Sequence, residues 1–232
     1  LVARALKDRG KKVRFIYFWD DYDVFRKVPK DLPRQEKLAA HLRKPVVDVP
    51  DPFGVASNYA DSFETALELA LPDLGIKPDY VYQAKRYRAA KYGRSIRTAL
   101  AARATIKNIL NQHRDQPLSE MWWPITIYSE LDGTDNTTIL DWDGADTVTY
   151  LDVDKKTRCQ NIIRSGAVKL LWRIDWPMRW AFENIDFEPA GKDHLTAGGS
   201  FDTGAPIARK VYNIEPPETL LYGDVGIKGG AG

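Results

Sequence analysis

Apolar positions divide the chain into short segments of changing period. Val2 to Arg9 carries a helical pattern, and Gly10 follows as a C-cap residue. Val13 to Trp19 is an apolar run broken only by Arg14. Its β-branched and aromatic residues predict a buried parallel strand. Asp20, Asp21 and Asp23 stand directly after it. Residues 29–54 hold five prolines and read as connection, with one short helix over Gln35–Leu42. Tyr59, Phe63, Ala66, Leu67, Ala70 and Leu71 then recur at helical spacing until Pro72 to Pro78 break the pattern. Ile96, Leu100, Ile106, Ile109 and Leu110 mark a longer helix.

The second half changes character. Ile125–Tyr128, Thr138–Leu140 and Thr147–Tyr150 read as short strands. Asp132-Gly133 and Asp143-Gly144 supply turns between them, as in a small antiparallel module. Helix–strand alternation then returns. Val168–Ile174 reads as a strand and Trp176–Asn184 as a helix, with Asp175 as N-cap and Pro177 in its first turn. Ile185–Phe187 reads as a short strand, Ser200–Tyr212 as a helix and Leu220–Ile227 as a last strand. The pattern predicts an α/β fold, two halves of one doubly wound sheet interrupted by a helical insert and a β module. In such sheets ligands bind outside the carboxyl ends of the strands.

Composition narrows the class. The 232 residues are 44% hydrophobic and 28% charged, which excludes a disordered chain and suits one large domain or two small ones. No run approaches the roughly 18 apolar residues of a membrane span. No secretory signal opens the chain, and its single cysteine, Cys159, cannot form an internal disulfide, so a cytoplasmic location is expected. The chain opens inside a predicted helix and stops in a glycine-rich run, as the middle of a longer protein would.

The net charge of +2 hides an asymmetry. Lys77–Arg114 holds ten Lys or Arg against the single acid Asp79, a local net of +9. Asp115–Cys159 holds ten acids against three bases, a local net of −7. The basic stretch, with interleaved tyrosines, suits a phosphate backbone; a solvated helix face is the plainer alternative.

Four clusters offer chemistry. Asp20, Asp21 and Asp23 repel one another and need a ligand ammonium, an arginine such as Arg26, or solvent. Arg173-Ile174-Asp175-Trp176-Pro177-Met178-Arg179-Trp180 packs two tryptophans, two arginines and an acid into eight residues. Its tryptophans are either core or, for Trp176 at a strand-to-helix turn, a wall for an aliphatic stem. Gly191-Lys192-Asp193-His194 followed by Gly198-Gly199 before a helix suits phosphates and close ligand approach; a structural histidine is the alternative. Lys228–Gly232 reads as a flexible tail or as the start of a mobile loop. Cys159 has no paired histidine, and His41, His113 and His194 are too scattered for a metal site.

At these clusters the sequence resembles class I, archaeal-type lysyl-tRNA synthetases. The resemblance rests on VRFIYFWDDYDVFRKVP (13–29), VKLLWRIDWPMRW (168–180), FEPAGKDH (187–194), GGSFDTG (198–204) and KGG (228–230), in the family's order and spacing. It implies the Rossmann-type parallel sheet of class I aminoacyl-tRNA synthetases. The implied division is 1–54 as the first part of the catalytic domain, 55–121 as a helical insert, 122–165 as a zinc-knuckle-like β module, and 166–232 as the second half of the catalytic domain. The implied activity is ATP-dependent activation of lysine, with magnesium, and its transfer to tRNA, with no membrane partner. By resemblance, Asp20 would hold the α-ammonium, Trp176, His194 and Tyr222 would line the lysine pocket, and Gly191, Lys192, Asp193 and His194 would meet the adenylate. Arg86, Arg88, Lys91, Arg94, Arg97 and Arg103 would meet tRNA. The family's two ATP signatures are absent, which leaves no catalytic residue to assign and predicts that this piece does not by itself catalyse lysine-dependent ATP–pyrophosphate exchange. Cysteines that ligate zinc in many members are also missing, so no zinc is expected. A class I synthetase for another amino acid and a non-catalytic tRNA-binding module are the alternatives.

Overall fold

The computed structural model describes residues 1–223; the 228–230 motif and the last predicted strand beyond Gly223 lie outside them. Helix α1 (Val2–Asp8) carries no buried residue, and Gly10 follows at φ +73. Strand β1 (Ile16–Trp19) is half-buried rather than buried. Among the described residues it is hydrogen-bonded on one side only, to β2 (Asp79–Tyr82). The pair is parallel, in register from Ile16 opposite Asp79 to Trp19 opposite Tyr82. A strand inside the expected helical insert is a correction to the sequence reading.

Helices α2 (Gln35–Ala39) and α3 (Tyr59–Ala70) lie between the two strands in sequence. Asn58 caps α3, its side chain accepting the Asp61 N–H at 3.0 Å. After β2 the chain passes directly into α4 (Gln83–Arg88). The single long helix expected over Ile96–Leu110 is two, α5 (Gly93–Ala101) and α6 (Arg103–Asn111), parted at Ala102.

Strands β4 (Thr138–Trp142), β5 (Thr147–Leu151) and β6 (Thr157–Asn161) form an antiparallel sheet in that order. The Asp143-Gly144 turn works as expected. Gly144 sits at φ +77, and Asp143 Oδ1 accepts the N–H groups of Ala145 and Thr147 at 2.8 and 3.0 Å. The preceding strand β3 (Ile125–Ile127) pairs instead with β7 (Val168–Leu170), antiparallel.

Two boundaries move here. The strand expected over Val168–Ile174 stops at Leu170, and α7 (Trp172–Glu183) begins four residues before the predicted start. Leu171, not Asp175, is its N-cap. Pro177 lies inside the helix, and Asp175 lies buried in its first turn. Strand β8 (Ala190–Gly191) pairs in parallel with β9 (Leu221–Tyr222), while the strand expected at Ile185–Phe187 is only a bridge from Phe187 to Glu218. Helices α8 (Lys192–Leu195) and α9 (Ser200–Val211) lie between β8 and β9. The architecture is α/β, with small sheets of both parallel and antiparallel kinds. One apolar core joins Tyr22, Tyr87, Ile106, Ile127, Tyr150, Val168, Ile174 and Ile207, so β3, β5, β7 and the helices α4, α6, α7 and α9 share it. A second, aromatic cluster of Trp176, Trp180, Ala190 and Ala208 sits beside it under Trp172 and Phe201. No helix among the described residues is long and apolar enough to cross a membrane.

Candidate functional site

The carboxyl end of β1 delivers Asp20, Asp21 and Asp23 to the flank of α7. Neither Arg26 nor solvent alone compensates them. Arg179 on α7, 3% exposed, reaches Asp20 at 2.7 Å and Asp175, one turn earlier, at 2.8 Å. Lys169 on β7, also buried, reaches Asp23 at 2.8 Å and Asp175 at 3.6 Å. The Tyr87 hydroxyl donates to Asp175 as well. Asp175 is thus a buried hub, and its two cationic partners hold its carboxyl below the usual range despite complete burial. The network sets three carboxylates against two cations, and the surplus negative charge faces outward. Asp20 and Asp23 have side chains 46% and 40% exposed, whereas Asp175 has none. Desolvation by the surrounding wall raises the Asp20 carboxyl, against the pull of Arg179.

Asp21 points elsewhere. It is 6% exposed and accepts the Ala84 N–H at the start of α4, at 2.8 Å. Burial pushes its carboxyl up to about 6. It lines a cleft with Glu64, Glu68, Tyr82, Lys85 and Arg88.

Arg179 also links the carboxylates to an aromatic group. Its guanidinium lies 5.2 Å from the Trp172 ring and 5.6 Å from Phe18. Trp172 and Trp176, one turn apart, stack at 5.5 Å and 16°, and the His194 ring is tilted against both, at 5.8 and 5.4 Å. Trp176 is 4% exposed and sits within α7, not at a turn with a free face. Its indole N–H, like that of Trp180, is donated to Glu188. Tyr222 is half-exposed, and its ring lies beside Gly191, where an added Cβ would stand 3.8 Å away. Tyr17 is within electrostatic reach of both Asp20 and Tyr222.

The structure therefore gathers Asp20, Trp176, His194, Gly191 and Tyr222 around the ends of β1 and β8. Lys192 and Asp193 stand exposed on α8 beside them. The Gly198-Gly199 step has a local explanation. Gly198 takes φ +72, and a Cβ on Gly199 would stand 2.6 Å from the His194 carbonyl oxygen. Arg173 fastens this turn by donating to the carbonyls of Gly198 and Gly199 at 3.0 Å.

The basic stretch is less uniform than its sequence. Arg86 pairs with Glu183, Arg88 with Asp48, and Arg97 with Asp146. Arg103 donates to the carbonyls of Glu120 and Trp122 and lies 3.7 Å over the Trp123 ring. Lys91 and Arg94 are exposed and form no ion pair among the described residues. Among those residues no cluster of three or more His, Cys, Asp or Glu side chains could hold a metal ion.

Sequence reasoning gave Asp175 only a capping role, quoted Arg179, Lys169 and Glu188 within longer motifs without assigning them one, and counted Tyr87 only among the tyrosines of the basic stretch. The i, i+4 spacing of Asp175 and Arg179 was the available signal. Nothing local marks Lys169, because its partners lie on other elements.

A family profile described as "tRNA synthetases class I (K)" matches residues 1–232. The lysine–tRNA ligase of Thermococcus kodakarensis is 46% identical over 236 residues, an alignment covering 100% of this chain and 44% of the relative. The lysine–tRNA ligases of Borrelia garinii and Treponema pallidum are 45% and 43% identical, covering 100% and 99% of this chain and again 44% of each relative. The chain thus spans less than half the length of these relatives. With the full chain matched by the profile, and these identities sustained along it, the chain belongs to the family of class I tRNA synthetases of the K type.

Proposed function

We propose that this chain forms the lysine-binding part of a lysine–tRNA ligase, an enzyme that activates lysine with ATP and transfers it to tRNA. The observation that carries the reading is the outward-facing surplus of negative charge at Asp20 and Asp23, beside an aromatic wall of Trp172, Trp176 and His194. An ammonium answers the charge and an aliphatic stem answers the wall, and lysine carries both. Asp20 takes the α-ammonium on its exposed side while Arg179 holds its other side, which fixes the carboxylate before substrate arrives. The rings of Trp172, His194 and Tyr222 bound the pocket, and Trp176 backs Trp172 from within the core.

The parallel pair β1–β2, with the acids at its carboxyl end, supports a Rossmann-type catalytic domain, the sheet's other members being small. The adenylate lies against Gly191, Lys192, Asp193 and His194. Lys192 supplies positive charge near the phosphate, where charge develops in the transition state. Magnesium fits as the triphosphate's own counter-ion, since the described residues offer no carboxylate cage for it. Exposed Lys91 and Arg94 form the part of the basic stretch open to tRNA phosphates, and a cytoplasmic location follows from that partner.

Titration of the chain with a panel of amino acids, followed by tryptophan fluorescence, tests the reading. Lysine should saturate the signal, while arginine and glutamate should not. Saturation by another amino acid would assign a different class I specificity, and no response to any of the panel would remove the proposal.

A further inference from the structure

The lysine reading leaves one half-buried carboxylate without a task. Glu188 lies just before β8 and is held there by its own N–H, which donates to the Glu218 carbonyl at 2.9 Å. Its Oε1 accepts the Trp176 indole N–H at 2.7 Å, and its Oε2 accepts that of Trp180 at 2.6 Å. The two indoles are one turn apart on α7, so one carboxylate spans consecutive turns of the helix. Among the described residues it makes no ion pair. Withdrawing a carboxylate from water without a cation is costly, and two neutral donors compensate only in part. An uncharged residue would avoid that cost if filling space were the only duty, but a carboxylate offers an acceptor oxygen to each indole.

We propose that Glu188 is a positioning residue for ammonium recognition: it fixes the Trp176 and Trp180 rings through their N–H groups and places a half-buried negative charge behind the aromatic wall. The inference rests on the lysine reading and names the element that makes that pocket select a charged side chain. Trp172 is anchored in the same manner from the outside, its N–H donating to Ser200 Oγ at 3.2 Å. Trp176 and Trp180 are buried, and Trp172, stacked on Trp176, is the partly exposed member of the group. An indole that donates to a carboxylate keeps more electron density on its ring than one that donates to a neutral acceptor. A cation over the partly exposed Trp172 ring, stacked on Trp176, gains from the negative charge behind the wall, while an uncharged stem of the same shape gains nothing.

Glu188→Gln separates the two duties. The amide keeps the shape and one acceptor oxygen but turns an NH2 toward the second indole, donor against donor. The probes are L-lysine and its uncharged analogue L-norleucine, titrated into the full chain. Nitrogen–proton correlation spectra read the indole N–H groups, and a thermal melt checks the fold. The expected result is a shift of two indole resonances, a lysine affinity reduced about tenfold, and norleucine binding unchanged within about twofold. Equal losses for both ligands would show a packing role alone and overturn the proposal. So would unshifted indoles, or lysine binding indifferent to the substitution. If the unsubstituted chain does not bind lysine, the lysine reading itself fails and takes this inference with it. Lysine affinity unchanged by Glu188→Gln overturns the inference alone. Should Glu188→Gln not fold, Trp180→Phe removes one donor and leaves the carboxylate. It should lower the lysine-to-norleucine preference in the same direction, and an unchanged preference overturns the proposal.

Discussion

Asp21→Asn should stabilise the chain, increasingly as pH rises above about 4. Asp21 is 6% exposed, and desolvation is the largest influence on its carboxyl, with the neighbouring Asp20 charge adding to it. The N–H groups of Ala84 and Gln83 pull the other way without prevailing, and the carboxyl settles near 6, against 3.8 for a free aspartate. The raised value means that the folded state binds the proton more tightly than the unfolded chain. Stability from this group is complete below the unfolded value and is lost as pH rises through 6. Two units of difference correspond to about 3 kcal/mol, with little screening to discount because the side chain is buried. Asparagine offers the same oxygen to Ala84 and carries no charge at any pH. The variant should therefore match the parent at pH 4 and exceed it by about 2–3 kcal/mol at pH 8, a rise of roughly 4–10 °C in melting temperature for a chain of this length. Thermal melts at the two pH values, with urea titrations to confirm the free energies, measure it. A variant no more stable than the parent at pH 8, or stabilised equally at both, would refute the reasoning. Glu64, in the same cleft and pushed up to about 7 by burial and then by Asp21, should titrate lower in the variant.

Arg179→Met should destabilise by about 3–5 kcal/mol in urea unfolding, because it leaves Asp175 and Asp20 without their shared cation. Adding Asp20→Asn should recover part of the loss, and strict additivity would deny that the two side chains are coupled. Gly166→Ala should cost about 2–3 kcal/mol, since its Cβ would stand 2.4 Å from Arg88 Cα and 2.9 Å from the Tyr87 carbonyl oxygen, both backbone; a melting temperature equal to the parent's would contradict this. Lys91→Ala with Arg94→Ala should flatten the salt dependence of acceptor-stem RNA binding by roughly 0.7–0.9 in log–log slope per phosphate lost. Arg97→Ala, which breaks the contact with Asp146, should lower stability more than RNA affinity.

The helices that begin at a cap and end at a breaker were legible: α3 and α9 fall within a residue of their predicted bounds. The strands that escaped have physical reasons. Tyr80-Val81-Tyr82 is strand-like, but it is short and runs into α4 with no turn to punctuate it. Strand β6 reads TRCQN because one of its faces is wet, Cys159 being exposed and Gln160 buried. The start of α7 was misplaced because proline usually marks a first turn. Here it is buried within the helix, among Trp176, Met178 and Trp180. The acids after β1 were recognisable as a charge problem, yet their solution was not. Arg179 and Lys169 come from distant elements that only the tertiary fold brings to Asp20 and Asp23.

Helix α7 concentrates features that stability alone disfavours. It holds an interior proline, a fully buried aspartate and a fully buried arginine, with a buried lysine pressed against them from β7. Apolar residues of similar volume would fold as well or better at these positions. Buried polar side chains occur elsewhere too, among them Asp21, Asp51, Gln83 and Asp152, but they are scattered singly among isoleucine, leucine, valine and tyrosine. Local rules thus fail together along one helix, and that helix presents Arg179 to the acids on one side and Trp172 and Trp176 to His194 on another. Such coincidence of broken rules is expected where structure has been held for function. Rigidity is what these costs provide. A carboxylate pinned from behind by Arg179, and indoles pinned from behind by Glu188 and Ser200, cannot turn away from the space between them. An ammonium entering that space meets groups already oriented, so its binding free energy is not spent on ordering them.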